Sequence, residues 1–259
     1  AGSEFVWIPV GDVKTKNKGK INIELNRYTF DENGNKTKQG SNIIEEYWSE
    51  INTSTYGNIT AKENIESEES GFRKSAKDNH GYYIGRYEAR TATERSSPTT
   101  DDNLKQITTK PNDYVYNYVT QLQAAALSRG MYAGTPFESD LVNSYAWDTA
   151  TLFLQTFDNR TNKDTLKVYS RQNSLNTGGL ANTGTNNLTE ASKKDKICNV
   201  YDMASNCYEW STETAGDSDC PCTRRGGFYN GRLPYTSRRN ENGTTHSLNS
   251  DSFRPLLYL

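Results

Sequence analysis

The sequence predicts an α+β fold, and three observations carry that prediction. Short strand-like stretches cluster in the first third and again in the last 60 residues. The strongest helical periodicity lies between them. No strand–helix–strand alternation of the kind that builds a parallel sheet occurs.

Each element follows from its residues. Phe5-Val6-Trp7-Ile8-Pro9-Val10 reads as a strand, and Ile21-Asn22-Ile23-Glu24-Leu25 alternates with period two. Asp31-Glu32-Asn33-Gly34-Asn35 is a turn signal, because Asn-Gly tolerates positive φ. Residues 60–79 are charged and partly helical, and Gly81 to Glu88 returns to strand. The polar stretch from Thr91 to Asn112, with Ser96-Ser97-Pro98, reads as a loop. A first helix is expected over Tyr116 to Arg129. A second follows Pro136, where Val142, Ala146, Ala150, Phe153 and Phe157 recur on one face. Residues 158–196, rich in Asn, Thr, Gly and Lys, read as a long surface excursion. Short strands then return around Trp210, Gly226-Gly227 and Phe253 to Tyr258. No repeat or linker divides the chain, so residues 6–259 are read as one domain and Ala1 to Phe5 as a cloning scar.

A chain of 259 residues closes a core without staples. Only 33% of residues are hydrophobic and the mean hydropathy is -0.91, values that border on those of disordered chains. Against disorder stand a net charge of only -2 and the buriable surface of 17 Tyr and 4 Trp. Thirty basic residues against 32 acidic ones give no basic footprint, which argues against nucleic acid as a partner. No apolar run approaches the roughly 20 residues of a membrane span, so no membrane insertion is expected.

Cys198, Cys207, Cys220 and Cys222 match no common zinc spacing. Cys220-Pro221-Cys222 is too tight to bond comfortably with itself. Free thiols, one or two disulfides and a metal or catalytic role stay open at this point. His80 and His246, the only histidines, give little material for a histidine metal site or a Ser-His-Asp triad. No Asp, Glu and Asn cluster is dense enough to argue a calcium site, and no cofactor is expected. Read from physics alone, Trp7, Trp147 and Trp210 fill the core, Gly226-Gly227 permits close backbone approach, and Glu209 and Arg254 can pair internally.

Several strings occur together in a family order. They are Phe5-Val6-Trp7-Ile8-Pro9, Tyr83-Ile84-Gly85-Arg86-Tyr87-Glu88, the helix with Trp147, Asn199 to Trp210 (Asn-Val-Tyr-Asp-Met-Ala-Ser-Asn-Cys-Tyr-Glu-Trp), Arg225-Gly226-Gly227 and Ser252-Phe253-Arg254. In this the chain resembles formylglycine-generating-enzyme-like (sulfatase-modifying factor) domains over nearly its whole length. The resemblance implies a variant C-type lectin fold: small twisted antiparallel sheets, two helices and much irregular loop.

The family's oxidases carry two copper-binding Cys shortly after Gly-Gly, whose soft thiolates no hydroxyl replaces. The matching positions here are Gly231 and Thr236, so the resemblance does not carry the activity over. Cys220 and Cys222 lie before Gly-Gly and would need a rearranged site. The sulfoxide-forming branch uses a histidine-rich iron site, which two distant His do not supply.

Other members of this fold are binding proteins, notably the variable proteins of diversity-generating retroelements. Their C-terminal segment is rewritten by adenine-directed mutagenic reverse transcription. The corresponding segment here is Phe228 to Asp251, within a candidate variable region over residues 224–259. It is rich in Tyr, Asn, Ser, Gly and Arg, which combine stiff amphipathic area, adaptable hydrogen bonding and a planar cation. Randomising the adenines of an Asn codon never yields Lys, Gln, Glu, Met or Trp. Lys is absent after Lys196, and the segment lacks Gln, Met and Trp, with Glu241 an exception that must be fixed.

By comparison with the family, Gly231, Tyr235, Thr236, Ser237 and Arg239 are expected to be scaffold. The candidate contacts are Tyr229, Asn230, Arg232, Leu233, Pro234, Arg238, Asn240, Asn242, His246, Leu248 and Asp251. Tyr229, Arg232 and Arg238 are the expected hot spots. The resulting expectation is a non-catalytic ligand-binding protein, for receptor recognition or adhesion, displayed outside the cell, on its surface or on a virion. Its partner would be an unknown protein or cell-surface ligand. The alternatives are an atypical oxidase of the formylglycine-generating type or a binding domain of fixed specificity. An ordinary polar surface loop explains the same segment without a ligand. The sequence leaves oligomeric state open.

Overall fold

The computed structural model describes residues 2–15, 19–31, 34–38, 44–45, 51–53, 57–59, 67–111, 113–157, 196–214, 219–229 and 236–259. The excursion expected over 158–196 therefore lies, but for Lys196, outside the described residues.

Eight short strands come first: β1 (Phe5–Pro9), β2 (Gly11–Thr15), β3 (Gly19–Ile23), β4 (Tyr28–Phe30), β5 (Lys36–Lys38), β6 (Ile44–Glu45), β7 (Ile51–Thr53) and β8 (Gly57–Ile59). Helix α1 (Gly71–Asp78) follows, its first turn closed by Ser70, whose Oγ accepts from Arg73 N at 3.2 Å. Next come β9 (Gly81–Gly85), β10 (Arg90–Thr91), β11 (Tyr114–Val115), α2 (Gln121–Gly130), β12 (Glu138–Leu141) and α3 (Ser144–Phe157). The described chain ends with β13 (Lys196–Ile197), β14 (Val200–Tyr201), β15 (Tyr208–Thr214), β16 (Cys222–Arg225), β17 (Arg239–Asn242), β18 (Asp251–Phe253) and β19 (Pro255–Tyr258). The fold is α+β, as expected, with three helices among the described residues.

The first long helix starts later than its sequence suggests. Thr120 and Gln123 form a reciprocal capping box, with Gln123 N donating to Thr120 Oγ1 at 3.2 Å and Thr120 N to Gln123 Oε1 at 3.1 Å. Just before the expected start Tyr114–Val115 pairs with Arg90–Thr91; Tyr116 N then donates to Ala89 O at 2.8 Å, and Tyr118 has φ of 52°, which no helix accommodates. The face expected on the second helix is only partly helical. Val142 precedes α3, Ala146 and Ala150 are buried on it, and Phe153 and Phe157 pack at its end with Ile23, Tyr28 and Phe30.

Two sheets organise the molecule. In the first, antiparallel strands run β1-β9-β19-β12, so the two ends of the chain share one sheet with β9 between them. Ile8, Tyr82, Ile84 and Leu256 pack from it onto Trp147 and Leu154 of α3. Trp7 departs from expectation: it is 38% exposed and lies edge-on to Tyr83, because strand alternation sends Ile8 inward and its neighbour outward. The second sheet runs β17-β16-β15-β18 and packs Trp210 and Phe253 against α2. Here β18 lies parallel to β15, a departure from an all-antiparallel expectation. The long connection from Thr214 to Asp251 supplies the crossover that parallel neighbours need.

Arg254 joins the two sheets. Fully buried between β18 and β19, it donates from Nε to Glu209 Oε2 at 2.9 Å and from Nη2 to Glu209 Oε1 at 2.6 Å. It also donates to the carbonyls of Gly85 and Tyr201 at 2.8 and 2.7 Å. The internal Glu209–Arg254 pair read from the sequence is therefore a bidentate bridge.

Candidate binding face

The C-terminal segment rests on a buried frame of charge. Arg225 on β16 is fully buried and ion-paired to Asp148 of α3 and Glu213 of β15. Arg239 on β17 reaches the same two acids, from Nε to Glu213 Oε2 and from Nη2 to Asp148 Oδ2, each at 2.6 Å. Two guanidiniums thus meet two carboxylates, which neutralises the cluster and ties β17 to α3. Burial works against the charge on Glu213, but Arg225 and Arg239 outweigh it and hold the carboxyl below its usual range. Beside the cluster Gly226 has φ of 75°, and a Cβ there would sit 2.5 Å from Met203 O, the close backbone approach that the double glycine suggested.

A second network faces outward. Arg224 is paired with Asp251 and donates to Asn240 Oδ1, and its guanidinium lies 4.4 Å over the Tyr208 ring. His246 Nε2 sits 3.1 Å from both Asp251 Oδ2 and Arg224 Nη1. Burial first, then Arg224, lower the His246 pKa against the pull of Asp251, so the imidazole is neutral at pH 7. Asp251 Oδ2 also accepts from Leu248 N at 3.0 Å, and Asn242 Nδ2 donates to Asn240 Oδ1 at 3.4 Å. These bonds fix the loop between β17 and β18.

An aromatic cluster completes the face. Phe228 packs 4.8 Å from Tyr208 and 5.8 Å from Tyr229, and the Arg238 guanidinium lies 5.4 Å from the Tyr208 ring. Tyr229 N donates to Asn206 O at 2.8 Å, and its hydroxyl accepts from Asn249 Nδ2 at 3.1 Å. Tyr118 N donates to Leu248 O at 3.0 Å and Asn117 Nδ2 to Asn249 O at 3.1 Å, which ties this edge to the loop before α2.

Of the candidate contacts, Tyr229, Arg238, Asn240, Asn242 and His246 are half-buried and Leu248 is 48% exposed. Asp251 requires correction: its side chain is fully buried between Arg224 and His246, so it orients neighbours and has no surface to offer a ligand. Asn230, Arg232, Leu233 and Pro234, with the scaffold candidates Gly231 and Tyr235, lie outside the described residues. Thr236 is fully buried and its carbonyl accepts from Trp147 Nε1 at 2.8 Å. Ser237 is half-buried, and Arg239 belongs to the charge cluster. Tyr208, Asn249 and Tyr118 were missed. Tyr208 sits inside the family string, where it reads as core, and Tyr118 falls where a helix was expected.

None of the four cysteines is in a disulfide, and Cys207 and Cys222 are buried. Burial, aided by Cys220, pushes the Cys222 thiol up to about 11, which leaves it protonated and a poor nucleophile or ligand at neutral pH. Among the described residues no group of three or more His, Cys, Asp or Glu is placed to hold a metal ion. No helix among them is long and apolar enough to cross a membrane.

No protein-family model matches the chain, and no curated protein matches it. Among solved structures, variable protein 1 of Treponema denticola is similar at 16% identity and a TM-score of 0.44, over 69% of this chain and 85% of that one. A crystal structure of CarF is similar at 10% identity and a TM-score of 0.44, over 84% of this chain and 95% of that one.

Proposed function

We propose that the chain is a non-catalytic recognition protein whose C-terminal segment forms a binding face, diversified by a retroelement. The observation that carries this reading is the division of labour between neighbouring residues. Arg224, Arg225, Arg239, Asp251 and Arg254 are held by buried or nearly buried ion pairs, while Tyr229, Arg238, Asn240, Asn242, His246 and Leu248 project from that frame with surface to spare. A face held in place by its own scaffold loses little conformational freedom on binding. Substitution at the projecting positions then changes what is recognised and leaves the buried ion pairs of Arg225, Arg239 and Arg254 in place. Display of several copies would raise a weak single-site affinity by avidity.

Absence of catalysis belongs to the same proposal. It rests on Gly231 and Thr236 standing where the oxidases carry thiols, and on the burial of Thr236. A variant with Tyr229, Arg238, Asn242 and Leu248 all replaced by Ala tests the binding part. It is expected to melt within a few degrees of the parent, and collapse of the fold would reassign these residues to the core. Copper titration with an oxygen-dependent peptide-oxidation assay tests the rest: stoichiometric copper binding with peptide oxidation would establish an atypical oxidase instead.

A further inference from the structure

We infer that the binding face takes an acidic partner, whose carboxylate docks on the Arg238 guanidinium beside the Tyr208–Phe228–Tyr229 aromatic cluster. The inference rests on the proposed binding face and names the chemistry of what it meets.

Charge bookkeeping along the last strands points to Arg238. Of the described arginines from Arg224 onward, Arg224 is paired with Asp251, Arg225 with Asp148 and Glu213, Arg239 with the same two acids, and Arg254 with Glu209. Within this set of described arginines, Arg238 has no carboxylate partner among the described residues. Among the described residues its guanidinium contacts the Tyr208 ring, 5.4 Å from the centroid. Glu241, on β17 and exposed, makes no ion pair with it.

Arg238 is nonetheless placed. Its carbonyl accepts from Arg225 Nε at 3.1 Å, which fixes its backbone to the buried charge cluster. The ring beneath its guanidinium is itself clamped, by Arg224 at 4.4 Å on one contact and Phe228 at 4.8 Å on another. A guanidinium resting on an aromatic ring keeps its planar fork of N–H donors, which matches a carboxylate in a bidentate pair. Tyr229, in the same aromatic cluster, accepts at its hydroxyl from Asn249 Nδ2, and among the described residues no acceptor takes its O–H proton, which can be offered to an incoming oxygen. A cation and a phenol donor, both partly exposed and both held by neighbours, form a site for an anion on a partner's surface.

The test immobilises the whole chain and selects from a random peptide library. An enriched peptide and its counterpart with Asp and Glu replaced by Asn and Gln are then titrated by fluorescence anisotropy against the parent and R238Q. Enriched peptides are expected to carry acidic residues. The amide counterpart and R238Q should each bind about tenfold weaker, and the two changes together should cost no more than either alone. R238Q should melt with the parent, since Arg238 makes no ion pair among the described residues. Two results overturn the inference and leave the binding face standing: peptides lost on Y229A or L248A that have no acidic bias, or acidic peptides that bind R238Q undiminished. Absence of any enrichment, or peptides indifferent to all three substitutions, would overturn the binding face with it.

Discussion

Asp148→Asn should destabilise the chain more than a typical substitution, and its cost can be worked from the contacts. The carboxylate is fully buried, paired to Arg225 and to Arg239 Nη2 at 2.6 Å, and accepts from Tyr28 N at 3.0 Å. Removing its charge leaves two guanidiniums facing Glu213 alone, an excess buried positive charge. Breaking a buried pair in this way costs about 3–5 kcal/mol. At about 2–4 °C per kcal/mol for a chain of this size, the melting midpoint should fall by about 6–20 °C. Circular dichroism melts, with urea midpoints read at unchanged m, measure it. Asp148→Asn combined with Arg239→Gln restores charge balance and should lose less than the sum of the single changes. A single-variant loss below about 1 kcal/mol, or strict additivity in the double variant, would show that the four groups are not a buried unit, and the frame beneath the face would lose its basis.

Three further outcomes follow from the same geometry. Glu88 is fully buried, accepts from Cys207 N at 3.0 Å, and has its pKa raised well above the ordinary 4.5 by burial first and then by Glu209 and Asp202. A raised carboxyl binds its proton more tightly in the folded chain, so its contribution is complete below pH 4.5 and is lost as pH rises through the folded value. Glu88→Gln should therefore gain stability relative to the parent as pH rises above 4.5, read as melting midpoints across pH, and an equal loss at every pH would contradict this. Gly226→Ala should cost about 2–4 kcal/mol in urea unfolding, combining positive φ with the clash on Met203 O; a loss under half that would show that the loop yields easily. Thr236→Val should be neutral or stabilising by up to about 1 kcal/mol, because the buried Thr236 Oγ1 has no hydrogen-bond partner among the described residues; a loss beyond that would reveal one.

Much of the fold was legible because local patterns coincide with burial. The alternation around Ile8 and Ile84 marks strands of one sheet, and Ala146 and Ala150 mark the inward face of α3. Where the sequence misled, tertiary pairing overrode it. Tyr116 N bonds to Ala89 O and Tyr118 takes a positive φ, so the helix waits for the cap at Thr120. The Glu209–Arg254 bridge was readable because buried opposite charges need one another. Asp251 was not, since nothing in a polar loop marks which acid turns inward to an arginine 27 residues earlier. The cross-chain convergence of Asp148, Glu213, Arg225 and Arg239 was equally invisible, because four separate elements supply it.

The central claim is that one segment varies while its frame does not, and sequencing the genomic DNA around this gene from several isolates tests it most directly. The account predicts a nearby near-copy of the final segment differing mainly at adenines, with an adjoining reverse transcriptase. Variation should fall at positions such as Tyr229, Arg238, Asn240, Asn242, His246 and Leu248, while Arg224, Arg225, Thr236, Arg239 and Arg254 stay fixed. An isolated gene with an unvarying C-terminus, or variation spread evenly into the buried ion pairs, would contradict it.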